Sequence, residues 1–265
     1  MAEPVLKIVD LSIQFGGLKA VQNFNIEVKK NEIYGLIGPN GAGKTTVFNI
    51  ITGVYKPTSG KVYLCGQDVT GLKQKDVARA GISRTFQNIR LFNNMSVIHN
   101  VMVSMSSRPE YKVNLFQSFF HTKHYFDNEK KMRDEAKELL KVFGLYELRK
   151  ELASSLPYGK QRKLEIARAL ATKPKLLFLD EPAAGMNPEE TQELMDTIKL
   201  VRDKFDMTIL LIEHDMKLVS GICEEVTVLS FGQTLTSGNT MDALSNPEVI
   251  KAYLGDDDDG DTGSK

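Results

Sequence analysis

The hydrophobic positions of this chain follow two periods, which predict strands and helices in turn. Near the start, apolar residues fall close to every second position, as in strands buried on one face: Leu6, Ile8, Leu11, Ile13 and Phe15, then Phe24, Ile26 and Val28. Continuous apolar runs predict buried strands at "EIYGLI", "KLLFLD" and "MTILLIEH". Apolar residues three and four apart predict helices, most clearly over Glu129–Phe143, with Gly144 as its C-cap.

Strands that alternate with helices indicate an α/β fold with a largely parallel sheet. We expect one domain over 1–254, with its core at about 1–89 and 171–240 and a final helix at 241–254. The stretch at about 90–170 reads as helical and predicts a helical subdomain inserted into the sheet. Residues 255–265 carry a run of aspartates, which favours a solvated acidic tail or the remnant of an added segment.

Composition narrows the class of protein. The 265 residues are 42% hydrophobic and 26% charged, which is ordinary for a globular protein. The 34 basic and 34 acidic residues cancel, so a general nucleic-acid-binding surface is not indicated. Two cysteines without metal-type spacing favour a reducing, cytosolic setting. No apolar stretch reaches about 18 residues, so we expect no membrane span, although a peripheral role on a membrane partner stays open.

A glycine-rich stretch, "GPNGAGKTT", follows an apolar run and precedes a helical pattern. It fits the G-x-x-x-x-G-K-[ST] spacing of a phosphate-binding loop. Its glycines let backbone N–H groups converge on an anion, and its lysine and threonine suit outer phosphates and Mg²⁺. The predicted nucleotide-binding residues are Gly38, Pro39, Asn40, Gly41, Ala42, Gly43, Lys44, Thr45 and Thr46.

Polar residues at the ends of later strands predict the remaining chemistry. Asp180 and Glu181 follow a buried run, where one can hold Mg²⁺ and the other polarise an attacking water. His214 ends the next strand, where a γ-phosphate contact competes with a structural or solvated histidine. Gln87 ends a short strand, where its amide can reach the metal or the attacking water; the residue type alone does not decide this.

A last stretch, "SLPYGKQRKLEIARAL", combines a turn with a basic amphipathic helix over Lys160–Ala171. Alone, it is either an ordinary helix start or a helix end that reads an anion bound elsewhere.

Taken in order, these stretches resemble the ATPase subunit of ABC transporters, over nearly the whole chain. The order is "GPNGAGKTT", "RTFQ", "LPYGKQRKLEIARAL", "LLFLDEP", "AAGMN" and "IEHD". The segments "RTFQNIRLF", "EPAAGMNPEE", "LIEHDMKLV" and "NPEVIKAYLG" are similar to branched-chain amino-acid importer ATPases of the LivG type. The resemblance implies a P-loop NTPase (RecA-like) core with an antiparallel β subdomain and an inserted helical subdomain.

The resemblance also implies roles. Phe15 stacks on adenine, and Glu181 is the general base. The Mg²⁺ site is formed by Thr45, Gln87 and Asp180. His214 holds the γ-phosphate. Residues 184–187 contact the opposite subunit of a head-to-tail dimer. In this dimer each ATP lies between the P-loop of one subunit and the signature segment of the other. The signature residues are Pro157, Tyr158, Gly159 and Lys160. Membrane permeases are the implied partners, on the cytoplasmic face of the membrane.

Two features leave alternatives open. The family's signature usually reads Leu-Ser-Gly-Gly-Gln, whereas Pro157 here replaces the serine hydroxyl and Tyr158 the first glycine. The aromatic segment 115–126 is either the core of the helical subdomain or a docking surface for a permease. Within the ABC family, a lipopolysaccharide-export ATPase and an ATPase of a soluble assembly complex are alternatives, as is a nucleotide-binding module without significant catalysis.

Overall fold

The computed structural model describes residues 3–111 and 123–254. Within these ranges the strands form a six-stranded and a four-stranded sheet. The strands are β1 Leu6–Phe15, β2 Leu18–Val28, β3 Ile33–Ile37, β4 Ser59–Leu64, β5 Gln67–Asp68, β6 Ile82–Arg84, β7 Leu176–Asp180, β8 Thr208–Ile212, β9 Glu225–Ser230 and β10 Gln233–Asn239. The α-helices are α1 Lys44–Ile51, α2 Gln74–Ala80, α3 Val97–Met105, α4 Lys123–Val142, α5 Tyr158–Leu170, α6 Pro188–Phe205, α7 Met216–Ile222, α8 Thr240–Leu244 and α9 Pro247–Leu254.

The larger sheet has the order β10-β9-β3-β8-β7-β6. All neighbouring pairs in it are parallel except β10 with β9, which form an antiparallel hairpin at one edge. Because parallel strands end at the same edge of a sheet, the residues that follow β3, β7 and β8 meet there. The topology therefore brings the P-loop, the Asp180–Glu181 pair and His214 to one edge.

Both faces of the larger sheet are covered. Along β7, Phe178 packs with the four-stranded antiparallel sheet and α1, while Leu177 and Leu179 face the helices on the other side. This alternation follows from the two-residue period of a strand. The α/β architecture expected from the sequence, with an antiparallel β layer and helices α3 to α5 between β6 and β7, is confirmed. The residue boundaries of the subdomains stay a prediction.

The elements differ from the sequence expectation at a few places. The predicted final helix at 241–254 is two helices, because Pro247 lacks the N–H that would continue α8, and the Asn246 side chain instead accepts from Glu248 N at 2.9 Å. The apolar pattern does not predict the short helices α2 and α7. Phe116, Phe119 and Phe120 of the aromatic segment lie outside the described residues, as does the tail 255–265.

Of the helices in the described ranges, none has the length and apolar character that crossing a bilayer requires.

Candidate functional site

The P-loop curls between the end of β3 and the start of α1. Gly38, Gly41 and Gly43 have φ values of 147°, 78° and 106°, which side chains disfavour. A Cβ on Gly38 would lie 2.1 Å from the carbonyl oxygen of Leu229, and one on Gly43 would lie 2.8 Å from that of Ala20. Both the backbone conformation and the close approach of neighbouring strands therefore require glycine at these positions.

Lys44 is the cation of this loop. Its side chain is buried, and its Nζ donates to the carbonyl oxygens of Gly38 at 2.6 Å and Pro39 at 2.9 Å. Burial lowers the pKa of Lys44, and the negative charge of Glu181 opposes that shift. The ammonium is thus held against the loop, with a carboxylate nearby that favours its charged form.

A pocket of about 460 Å³ opens over the loop. Of the predicted site residues, it is lined by Phe15, Asn40, Gly41, Ala42, Gly43, Lys44, Thr45, Thr46 and Glu181. Phe15 is 46% exposed and meets Tyr55 edge-on, with ring centroids 5.2 Å apart. Leu18 and Phe231, which the sequence did not single out, line the same pocket, and Phe231 is 88% exposed. The aromatic turn between β9 and β10 was the only sequence signal for it.

Gln87 does not line the pocket itself, but its side chain bonds Glu181, which does. Its Nε2 donates to Glu181 Oε2 at 2.6 Å, although the two residues are 94 positions apart in the chain. The backbone of Glu181 has a φ of 44°, and its N–H donates to the Ile212 carbonyl at 3.0 Å. The ends of β7 and β8 thus fix Glu181 beside the P-loop, with an amide against its carboxylate.

Asp180 has a partner that the sequence did not indicate. Its Oδ2 accepts from Arg84 Nη2 at 2.6 Å, and both side chains are largely buried. Arg84 also donates through Nη1 to Asn49 Oδ1 at 3.0 Å and Thr52 Oγ1 at 3.3 Å. Arg84 therefore ties the end of β7 to the helix that follows the P-loop. Asp180 itself is outside the set of residues that line the pocket.

His214 lies on an exposed loop after β8. Its side chain is 57% exposed, and its Nδ1 is 4.0 Å from Glu213 Oε2. It does not line the pocket over the P-loop. Glu213, the residue before it, is buried instead, at 1% exposure. Its carboxylate accepts hydrogen bonds from the backbone N–H groups of Ala183 and His214.

The signature segment lies elsewhere on the surface. Helix α5 begins at Tyr158, two residues earlier than expected, so Pro157 is its N-cap and not part of its first turn. Pro157, Tyr158 and Lys160 are exposed, and none of residues 156–160, all of them described, lines the pocket over the P-loop. The Tyr158 hydroxyl donates to the Ala184 carbonyl at 2.9 Å, so it contacts the loop that follows Glu181 in the same chain.

A buried ion pair anchors this helix. Arg162 is 0% exposed and donates to Glu165 Oε2 at 2.7 Å, to the Phe86 carbonyl at 2.7 Å and to the Gln87 carbonyl at 2.8 Å. Burial raises the pKa of Glu165, and the charge of Arg162 opposes that shift. The i, i+3 spacing of opposite charges was a sequence signal for the pair. Its backbone partners could not be inferred from spacing.

The chain is similar to known proteins along nearly its whole length. The family model described as "ABC transporter" matches residues 21–184. The chain is 47% identical to the high-affinity branched-chain amino acid transport ATP-binding protein LivG of Escherichia coli strain K12, over 97% of this chain and 100% of that protein. It is 43% identical to the protein BraF of Pseudomonas aeruginosa, described in the same words, with the same coverage.

Among solved structures, the fold is similar to the ADP conformation of MJ1267, an ATP-binding cassette of an ABC transporter. The TM-score is 0.83 at 31% identity, over 96% of this chain and 100% of that one.

Proposed function

This chain belongs to the ABC transporter family of ATP-binding proteins, and on that premise we propose that it is the ATP-hydrolysing subunit of an importer for branched-chain or related amino acids. The observation that carries the proposal is the pocket over the P-loop, which Lys44 and Glu181 line together, with Gln87 bonded to the Glu181 carboxylate. A phosphate cradle, a cation and a carboxylate in one pocket are what nucleotide hydrolysis needs.

ATP binds with its phosphates on the backbone N–H groups of residues 38–46, apart from Pro39, which has no N–H. These groups and the N-terminus of α1 favour negative charge, and Lys44 supplies a full positive charge. The exposed ring of Phe15 at the pocket rim offers adenine a stacking surface. The positive φ values and the tight packing of Gly38 and Gly43 support this reading, because they keep the cradle open to an anion.

The donor set also suits Mg²⁺. The described part of the chain has no group of three His, Cys, Asp or Glu side chains that would hold a metal by themselves. Mg²⁺ in nucleotide sites needs no such cage, since phosphate oxygens and waters complete its shell. The Thr45 hydroxyl and Gln87 would ligate the ion, and Asp180, whose Oδ2 accepts from Arg84, would support it. The ion would neutralise charge on the phosphates.

In hydrolysis, ATP and water give ADP and phosphate. Glu181 accepts a proton from the attacking water as general base. The Gln87 amide donates to the Glu181 carboxylate and so orients it. The exposed imidazole of His214 is free to turn towards a γ-phosphate, which it holds once the site is assembled.

The site is completed by a second ATPase subunit, either the same chain or a related one. Residues 156–160 do not line their own pocket, and the N-terminus of α5 is exposed. In a head-to-tail dimer this end reaches the phosphates of the partner's ATP. Since Pro157 has no hydroxyl, the backbone N–H groups near Gly159, the helix dipole and Lys160 carry the contact.

The membrane permease is the other partner. We expect the chain to bind peripherally on the cytoplasmic face of the membrane, with the loop of Gln87 facing the permease.

Glu181→Gln tests the catalytic role. The variant should bind ATP normally and accumulate as an ATP-bound dimer in size-exclusion chromatography, because the base that permits hydrolysis is missing. Its ATPase rate should fall by about a hundredfold or more, the scale of a general base. Glu147→Gln, a change of the same type at an exposed glutamate, is the matched control. Wild-type turnover by Glu181→Gln would contradict the assignment.

The transport role is tested by co-purification from membranes. The tagged chain should bring down hydrophobic permease subunits, and their presence should make ATPase activity respond to an amino acid presented with its binding protein. Recovery of soluble partners alone would contradict the importer role while leaving the ATPase intact.

A further inference from the structure

A buried carboxylate lies between the two loops that follow β7 and β8. Glu213 comes directly after β8 and is 1% exposed. Its Oε1 accepts from the backbone N–H of Ala183 at 2.9 Å. Its Oε2 accepts from the N–H of His214 at 3.0 Å and from that of Asp215 at 3.4 Å. Both oxygens are therefore engaged, one with each loop.

No lysine or arginine of the described ranges pairs with Glu213; the only ion-pair contact is that with His214, at 4.0 Å. A buried carboxylate without a cation is costly, and the backbone donors offset part of that cost. Burial accordingly raises the pKa of Glu213, while the N–H groups of Ala183, His214 and Asp215 oppose the shift. An apolar residue would fill the same space but leave the N–H groups of Ala183, His214 and Asp215 without this acceptor, so the carboxylate is the group that bonds the two loops to each other.

The two loops are those that carry the reaction. Ala183 follows Glu181 by two positions and leads into residues 184–187, and His214 is the histidine assigned to the γ-phosphate. We propose that Glu213 is a positioning residue that fixes these two loops relative to each other for ATP hydrolysis. The inference rests on the proposed ATPase function.

The bonding pattern requires a carboxylate. A glutamine has one oxygen and one NH₂ group, and the NH₂ would face a backbone donor. With its oxygen towards His214 and Asp215, glutamine keeps two bonds and loses the one to Ala183. Glu213→Gln should therefore release the loop after Glu181, although it nearly preserves the size of the side chain.

The chain offers a matched control at Glu32, which precedes β3 at the opposite edge of the sheet. Glu32 is also buried, at 6% exposure, but its Oε2 accepts one backbone N–H, from Lys29 at 2.6 Å. Burial raises the pKa of Glu32 too. Glu32→Gln thus reports the effect of neutralising a buried glutamate away from the two loops.

The experiment compares wild type, Glu213→Gln and Glu32→Gln as full chains. The ATPase rate at saturating Mg-ATP, the ATP dissociation constant and the amide hydrogen exchange of individual residues are measured. For Glu213→Gln we expect a rate about tenfold to a hundredfold lower, the scale of a displaced catalytic group. Its ATP affinity should stay within about twofold of wild type, because the P-loop is untouched. Exchange at Ala183 should accelerate, and exchange in α1 should not change.

Glu32→Gln should keep the wild-type rate. The inference is overturned if Glu213→Gln turns over like wild type, if Ala183 exchange is unchanged, or if Glu32→Gln loses as much activity. Failure of the proposed function is a separate result: wild type would then hydrolyse no ATP, and the exchange at Ala183 would still report whether Glu213 joins the loops.

Discussion

Two helices of this protein, α1 and α5, begin at turns that we propose contact nucleotide phosphates, and the two helix starts are held in opposite ways. Neither α1 nor α5 has a side-chain hydrogen bond at its N-cap. The start of α1 is organised by nearby backbone, because Lys44 donates to carbonyls only six and five positions before it. The start of α5 is organised by distant partners, since Arg162 donates to a carbonyl 76 positions away and Tyr158 to one 26 positions away.

The difference follows from what each turn must do. The P-loop is proposed to surround the phosphates of the ATP that its own chain binds, so a contiguous segment suffices. The signature helix is proposed to serve a nucleotide in another subunit, so its position relative to Gln87 and to residues 184–187 has to be fixed by side chains. Substitutions in the two regions should therefore fail for different reasons.

The largest effect is expected at the buried ion pair of α5. Arg162→Met leaves the Glu165 carboxylate buried without its cation and the carbonyls of Phe86 and Gln87 without that donor. We expect the free energy of unfolding to fall by about 3–5 kcal/mol, measured by denaturant titration. Adding Glu165→Leu should recover part of the loss, since a buried ion pair is replaceable by apolar residues.

Lys163→Met is the control on the same helix. Lys163 pairs with the exposed Glu193 at 2.8 Å, and we expect a change below about 1 kcal/mol. Equal losses at positions 162 and 163 would show that burial does not set the strength of these contacts.

A second comparison uses one type of change in both regions. Gly38→Ala would place a Cβ 2.1 Å from a backbone oxygen. We expect the free energy of unfolding to fall by about 3 kcal/mol. We also expect ATP binding to be lost. Gly159→Ala meets only the end of the Glu190 side chain, at 3.3 Å, and alanine favours the helix by up to about 1 kcal/mol. Unfolding and ATP titrations separate the two; a stable Gly38→Ala that binds ATP would contradict the glycine requirement.

A smaller effect is expected for Tyr158→Phe. The change removes the hydrogen bond to the Ala184 carbonyl at 2.9 Å and the longer one, at 3.4 Å, that the hydroxyl accepts from Arg162 Nη2. It keeps the ring, which is 40% exposed. We expect the unfolding free energy to fall by about 0.5–1.5 kcal/mol, the usual net value of one hydrogen bond. Thermal unfolding of the two proteins measures it. A loss as large as that of Arg162→Met would mean that Tyr158 and not the ion pair anchors the helix start.

The smallest effect is expected for Pro157→Ser. Pro157 is the exposed N-cap of α5, and a serine there would accept a backbone N–H and stabilise the helix by about 1 kcal/mol. The ATPase rate should change little, because the helix end already presents its N–H groups. A rise of many-fold would indicate that a hydroxyl on the phosphate is missing from this protein.

Much of the fold followed from periodicity. The buried runs at β3, β7 and β8 and the long helix α4 were predictable, because each is long or strongly patterned. The helices α2 and α7 have seven residues each, too few for a helical period to stand out. The break before Pro247 has a signal in the sequence, because a proline cannot donate the N–H that continues a helix.

The sequence by itself determined the P-loop, because its glycines, lysine and threonines act through a contiguous stretch of backbone. It also placed Asp180, Glu181 and His214 at strand ends, which the parallel order of β7 and β8 brings to one edge. Only the tertiary structure decided which groups contact one another there. Arg84 with Asp180, Gln87 with Glu181, and Glu213 with Ala183 are pairs from 30 to 96 positions apart. Such pairs depend on which strands and helices become neighbours, and local residue patterns do not specify that.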